Sequence, residues 1–131
     1  MKELKTIIEQ GIACQLATET VTGGAIDLAD CNGAVVAFNV GSSLDELGSA
    51  VNIVAGLTEC ATASGSYTAV SASDMIAPAG GLTITSGGTT IAVGYRGSKR
   101  FIKPTLTFSG THSSGTYVGA DVVKGALLLA K

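Results

Sequence analysis

Between Thr89 and His112 the chain alternates apolar and polar or small residues with a period of two. Ile91, Val93 and Tyr95 share one side, and Ile102, Pro104, Leu106 and Phe108 share the next. Successive strand residues point to opposite faces, so this pattern predicts two half-buried strands and excludes a helix. Gly97-Ser98 between them suits a two-residue type II′ turn, so the stretch is expected to be a β-hairpin. Asn32-Gly33, between Ala25–Leu28 and Ala34–Val40, predicts a second one.

The rest of the chain repeats the signal in shorter pieces. Ser49 to Cys60 alternates, with Val51, Ile53, Ala55 and Leu57 on the apolar side. Tyr117 to Ala130 reads as the last strand. Its apolar residues lie on both faces, Val118, Ala120 and Val122 against Val123, Leu127 and Leu129, as in a central strand or one packed on a partner. Gly41 to Gly48 reads as a polar loop or a short turn of helix. Leu4, Ile7 and Ile8 alone have helical spacing, and a helix this short must dock on something. Residues 1–11 are therefore expected to be an N-terminal arm or short helix, and residues 12–131 one domain.

The 131 residues suffice for a core without staples. Gly is about twice its usual share, and Trp is absent. Roughly eight strands with frequent turn signals predict an all-β fold, a β-sandwich, jelly-roll-like in its connections.

The chemistry-bearing residues are few. His112 is the only histidine and sits in the polar loop Thr111-His112-Ser113-Ser114, where a hydrogen-bonded structural role outweighs one as a catalytic base. Neither Asp27 with Asp30 nor Asp45 with Glu46 has a reason to be buried, so neither pair predicts acid–base chemistry. Cys14, Cys31 and Cys60 match no zinc or disulfide spacing and read as buried free thiols. The expectation is therefore a protein that is not an enzyme, with no catalytic residues, cofactor or metal. MKELKTIIEQ lacks the apolar core of a secretory signal, and no apolar run reaches membrane-span length.

Charge is unevenly spread. Nine of the ten acids lie at or before Asp74, whereas six of the eight bases follow it. Arg96, Lys99, Arg100 and Lys103 cluster with Tyr95 and Phe101. Cations with rings resemble a single-strand nucleic-acid platform, but the acidic pI of about 5.2 and the small patch argue against nucleic acid as a partner. A protein contact anchored by Tyr95, Arg96, Lys99, Arg100 and Lys103, with Leu4, Ile7 and Ile8 of the arm, is the sharper expectation.

The series Gly24-Ala25-Ile26-Asp27-Leu28, Gly65-Ser66-Tyr67-Thr68-Ala69-Val70, Val93-Gly94-Tyr95-Arg96-Gly97-Ser98-Lys99-Arg100-Phe101 and Gly110-Thr111 resembles small proteins encoded beside the major capsid protein in tailed bacteriophages. The resemblance runs from about Gly24 onward. The chain departs from it at Val51 to Thr62, where an acidic turn is replaced by Leu57-Thr58-Glu59-Cys60-Ala61-Thr62. It implies a capsid cement or decoration protein on the virion surface, made in the bacterial host cytoplasm. Such a protein binds between capsomers of the major capsid protein as a homo-oligomer, a trimer above all. A head–tail connector, a tail component or a carbohydrate-binding sandwich on the virion are the alternatives.

Overall fold

The computed structural model describes residues 8–29, 31 and 33–124. In chain order the strands are β1 (Ile8–Ala17), β2 (Val21–Thr22), β3 (Ile26–Asp27), β4 (Ala34–Ser43), β5 (Asn52–Cys60) and β6 (Thr68–Ala69). There follow β7 (Met75–Ile76), β8 (Thr83–Ile84), β9 (Thr89–Tyr95), β10 (Phe101–Ser109) and β11 (Thr116–Lys124). One turn of 3-10 helix, Ala72–Asp74, precedes β7.

The strands form two antiparallel sheets. The first has the order β1-β11-β4-β9-β7. The second runs β2-β10-β5-β6, with β3 also on β10 and β8 also on β5. From β4 onward the long strands alternate between sheets along the chain. With β2 and β3 sharing one lane and β6 following β5, the first, eighth, third and sixth strands face the second, seventh, fourth and fifth. That is the jelly-roll order, a sandwich of two interleaved Greek keys. The fold class read from the sequence therefore holds.

Period-two burial builds the core. β4 buries Ala34, Val36, Phe38 and Val40 and turns Val35 and Asn39 outward. β10 buries Ile102, Pro104 and Leu106, β5 buries Ile53, Ala55 and Leu57, and β11 buries Val118, Ala120 and Val122. Phe38, Ile53, Ile102, Leu106, Val36, Val93 and Val122 are fully covered, and they interlock between the sheets. Each such side chain adds roughly 1.5–3 kcal/mol of burial free energy.

Neither expected hairpin forms. β9 lies between β4 and β7 in the first sheet, whereas β10 lies between β5 and β2 in the second. Residues 96–100 are thus an arch from one sheet to the other. Its keystone is Tyr95, which is 2% exposed. The Tyr95 hydroxyl donates to Glu59 Oε1 at 2.7 Å and accepts from the Lys99 N–H at 3.1 Å. A side chain at Gly97 would meet the Tyr95 hydroxyl at 2.5 Å, so the arch closes over the ring only because position 97 has none. The connection through Gly33 likewise joins β3 in the second sheet to β4 in the first. There a Cβ at Gly33 would stand 2.7 Å from the Tyr95 carbonyl oxygen. In both places glycine permits close approach and serves no two-residue turn.

The N-terminal expectation also changes. Ile8, Glu9 and Gln10 are strand, paired with Val123, Val122 and Asp121 of β11. The backbone of β11 would otherwise lose its hydrogen-bond partners on that side, and this outweighs a short helix of marginal stability. Leu4 and Ile7 lie outside the described residues, as does the stretch 125–131 expected to prolong the last strand.

Replacing Tyr95 with Phe removes the hydroxyl that joins Glu59 to the arch and leaves the Lys99 N–H without its acceptor. The expected loss is about 1–2 kcal/mol, read as a lower urea midpoint with an unchanged m-value; an unchanged midpoint would show that the arch does not depend on the hydroxyl.

Candidate interaction surface

The basic residues singled out in the sequence do gather at one end of the sandwich, beside the described chain ends Ile8 and Lys124. Arg96, Lys99 and Arg100 are exposed on the arch, and Lys103 is half-buried on β10. Their surroundings differ. Arg100 grips Asp27 with two bonds, Nε to Oδ1 at 2.8 Å and a terminal nitrogen to Oδ2 at 2.9 Å. Its guanidinium also lies 5.1 Å from the Phe101 ring centre. Arg96 donates through Nε to the Ser73 carbonyl at 3.1 Å. Lys103 Nζ sits 4.2 Å from the centre of the Tyr67 ring, a cation–π contact. Tyr95, expected as a contact residue, is instead part of the core, and burial followed by its bond to Glu59 pushes its hydroxyl pKa up to about 12.

Asp27 is the acid of this end. The Arg100 fork, then the Ala29 N–H, hold its carboxyl at about 2, below the ordinary 3.8. The bidentate geometry fixes the guanidinium in the plane of the carboxylate. Arg100 thus braces β3 to β10, leaving Arg96 and Lys99 as the arch residues best placed for a partner.

The opposite end is held by Asp45. Its Oδ1 accepts from the Ser114 N–H at 2.9 Å and its Oδ2 from the Gly115 N–H at 2.7 Å. These backbone donors lower its pKa. His112 belongs to the same closure. It is 6% exposed, and its Nε2 lies 2.9 Å from the Ser109 carbonyl and 3.2 Å from that of Asn52. The ring packs on Phe108 with centroids 4.7 Å apart. Nδ1 is buried without a partner among the described residues. A ring so engaged is a loop anchor, as the sequence reading favoured.

The outer face of the first sheet carries what the sequence reading missed. Ile8 of β1 stands opposite Val123 of β11, Val123 opposite Val35 of β4, Val35 opposite Gly94 of β9, and Gly94 opposite Ile76 of β7. One apolar row therefore crosses all five strands, with Ile8 62%, Val123 39%, Val35 44% and Ile76 55% exposed. The doubled Val35-Val36 and Val122-Val123 are its sequence trace, since adjacent valines in a strand place one on each face. The same face holds a shallow depression of about 240 Å³ floored by Gly119 and bordered by Gln10, Cys14, Asn39 and Tyr117.

The thiols depart from expectation in burial. Cys14, Cys31 and Cys60 are free, but Cys14 is exposed and the others are half-buried. Cys14 lies within an irregularity in β1 pairing between Ile12 and Gln15, which takes it out of the regular inward alternation. Among the described residues no three His, Cys, Asp or Glu side chains are grouped to hold a metal ion, and no helix is long and apolar enough to cross a membrane. No family model matches the chain, and no curated protein matches it either.

Because the folded-state pKa of Asp27 is depressed, the unfolded chain binds its proton first as pH falls. The Asp27–Arg100 contribution is whole above 3.8 and is lost as pH drops toward about 2. Asp27→Asn should flatten the stability–pH curve in that window, measured by thermal melts across acid pH. An unaltered slope would assign the acid sensitivity to other carboxylates.

Proposed function

We propose that the chain is a structural, non-catalytic protein of a tailed-bacteriophage virion, decorating the shell by seating between capsomers of the major capsid protein. The observation that carries this reading is the arch from Tyr95 to Phe101. It is the stretch of strongest resemblance to auxiliary head proteins, and its chemistry is that of a fixed platform. The Tyr95 hydroxyl and Gly97 set the backbone, while Arg96 and Lys99 project from it.

A jelly roll by itself says little about function, since one fold serves many. Support comes from the kind of surface available. Arg96 and Lys99 stand exposed on the arch, a cationic pair able to meet the acidic loops of a protein partner. Shell attachment suits such a surface, because a homo-oligomer engaging a lattice multiplies modest contacts by avidity. The cations select acidic loops and raise the rate of encounter with them.

The test begins with mass spectrometry of purified particles from the phage whose genome encodes the chain. Particles grown without its gene should then rebind the purified protein. Arg96→Glu combined with Lys99→Glu is expected to lower occupancy roughly tenfold with unchanged circular dichroism. Arg100 is left intact in this test because its loss would also release Asp27. Particles lacking the chain, or bare shells that take up wild type and variant equally, would overturn the proposal.

A further inference from the structure

We infer that the outer face of the first sheet is where a second copy of this chain packs, sheet against sheet, about a two-fold axis running roughly along β4. This inference does not depend on the virion reading.

The row Ile8–Val123–Val35–Gly94–Ile76 spans the whole sheet. β4 is the third of five strands, so Val35 stands at its centre. A two-fold axis along β4 lays the row on its own image with the strand order reversed. Val35 then meets Val35, Ile8 meets Ile76, and Val123 meets Gly94. Large side chains fall at the two ends, a bulky residue falls on a glycine, and valine falls on valine. The row is self-complementary, as a two-fold contact requires.

The next row supports the same placement. Asp121 of β11 stands opposite Ala37 of β4, which stands opposite Ala92 of β9. Under the axis Asp121 of one copy falls over Ala92 of the other, so the two carboxylates do not meet. Among the described residues Asp121 is the one ionised side chain projecting from the strands of this face. A face so nearly uncharged offers little to a strongly charged partner, but brings no repulsion to a copy of itself.

Size fits a weak association. Four strands at about 4.8 Å spacing, covered over roughly seven residues, with the two residues of β7 beside them, give about 470 Å² per copy. The pair buries just under about 1,000 Å², below the roughly 1,200–2,000 Å² of tight complexes and in the range of weak ones. Sheets packed this way lie about 10 Å apart with strands about 30° from aligned. The small residues Ala37, Ala92 and Gly94 leave the valines and isoleucines room to interdigitate.

Sedimentation of the full chain, from micromolar to submillimolar concentration, reads the association directly. The expected species is a dimer, twice the 13.0 kDa of the chain. Val35→Glu and Ile76→Glu, both at exposed positions, should each raise its dissociation constant at least about a hundredfold without altering circular dichroism. Val35→Cys, with Cys14, Cys31 and Cys60 replaced by serine, should be joined between copies by a short bis-maleimide, which spans the gap of about 10 Å that a disulfide cannot, because a residue on the axis meets itself. Thr107→Cys, on an exposed position of the other sheet, should not.

A monomer throughout the range would overturn the inference. So would an oligomer of any order that both glutamate variants leave intact, or equal cross-linking at positions 35 and 107. A monomer whose shell rebinding is lost in Val35→Glu would assign the face to the shell instead of a second copy.

Discussion

The Tyr95 hydroxyl ties the two sheets together at one end. Tyr95 belongs to the first sheet and Glu59 to the second, and the hydroxyl between them also accepts the Lys99 N–H from the arch. With the ring at 2% exposure, an unpaired hydroxyl there would cost about 1–3 kcal/mol. The hydrogen bonds therefore select the path of residues 96–100, and that path decides where Arg96 and Lys99 emerge. Asp45 has the corresponding role at the far end, accepting from two backbone N–H groups of the loop that precedes β11. Each end is closed by a side chain that joins a loop to an element distant in sequence.

Which residues face inward was legible in the sequence, and which strands pair was not. Ile91, Val93 and Tyr95 share a face, as do Ile102, Pro104 and Leu106, because alternation is a local property of extended backbone. Strand partners depend on where the chain goes after a turn. Gly97-Ser98 and Asn32-Gly33 have turn chemistry, but a glycine that permits a tight reversal also permits close approach to a neighbouring backbone. Both glycines here are used for approach to Tyr95. The hairpin signal was sound as evidence for chain reversal and uninformative about whether the chain stays in its sheet.

The surface was legible in part. The cluster of cations is local in sequence, so Arg96, Lys99 and Arg100 could be found together by reading. That Arg100 is engaged by Asp27, 73 positions away, could not, because the pair exists only once β3 lies beside β10. The apolar row was least accessible. Its members come from five strands, and what unites them is the register of four ladders. Ile8 shares helical spacing with Leu4 and Ile7 in the sequence, and nothing local there shows the demand of the β11 edge for a partner.

Register also has a mechanical side. β1 and β11 run antiparallel, and Ile8 and Lys124 stand at the same end of that ladder. Tension applied between these two points loads the hydrogen bonds one after another, as in opening a zipper. Tension along the strands from opposite ends would load them all together. The sandwich is therefore soft to forces that separate Ile8 from Lys124. Held at that end and pulled at the Asp45 end, it presents long ladders in shear, so its resistance to a moving neighbour depends on which end is gripped.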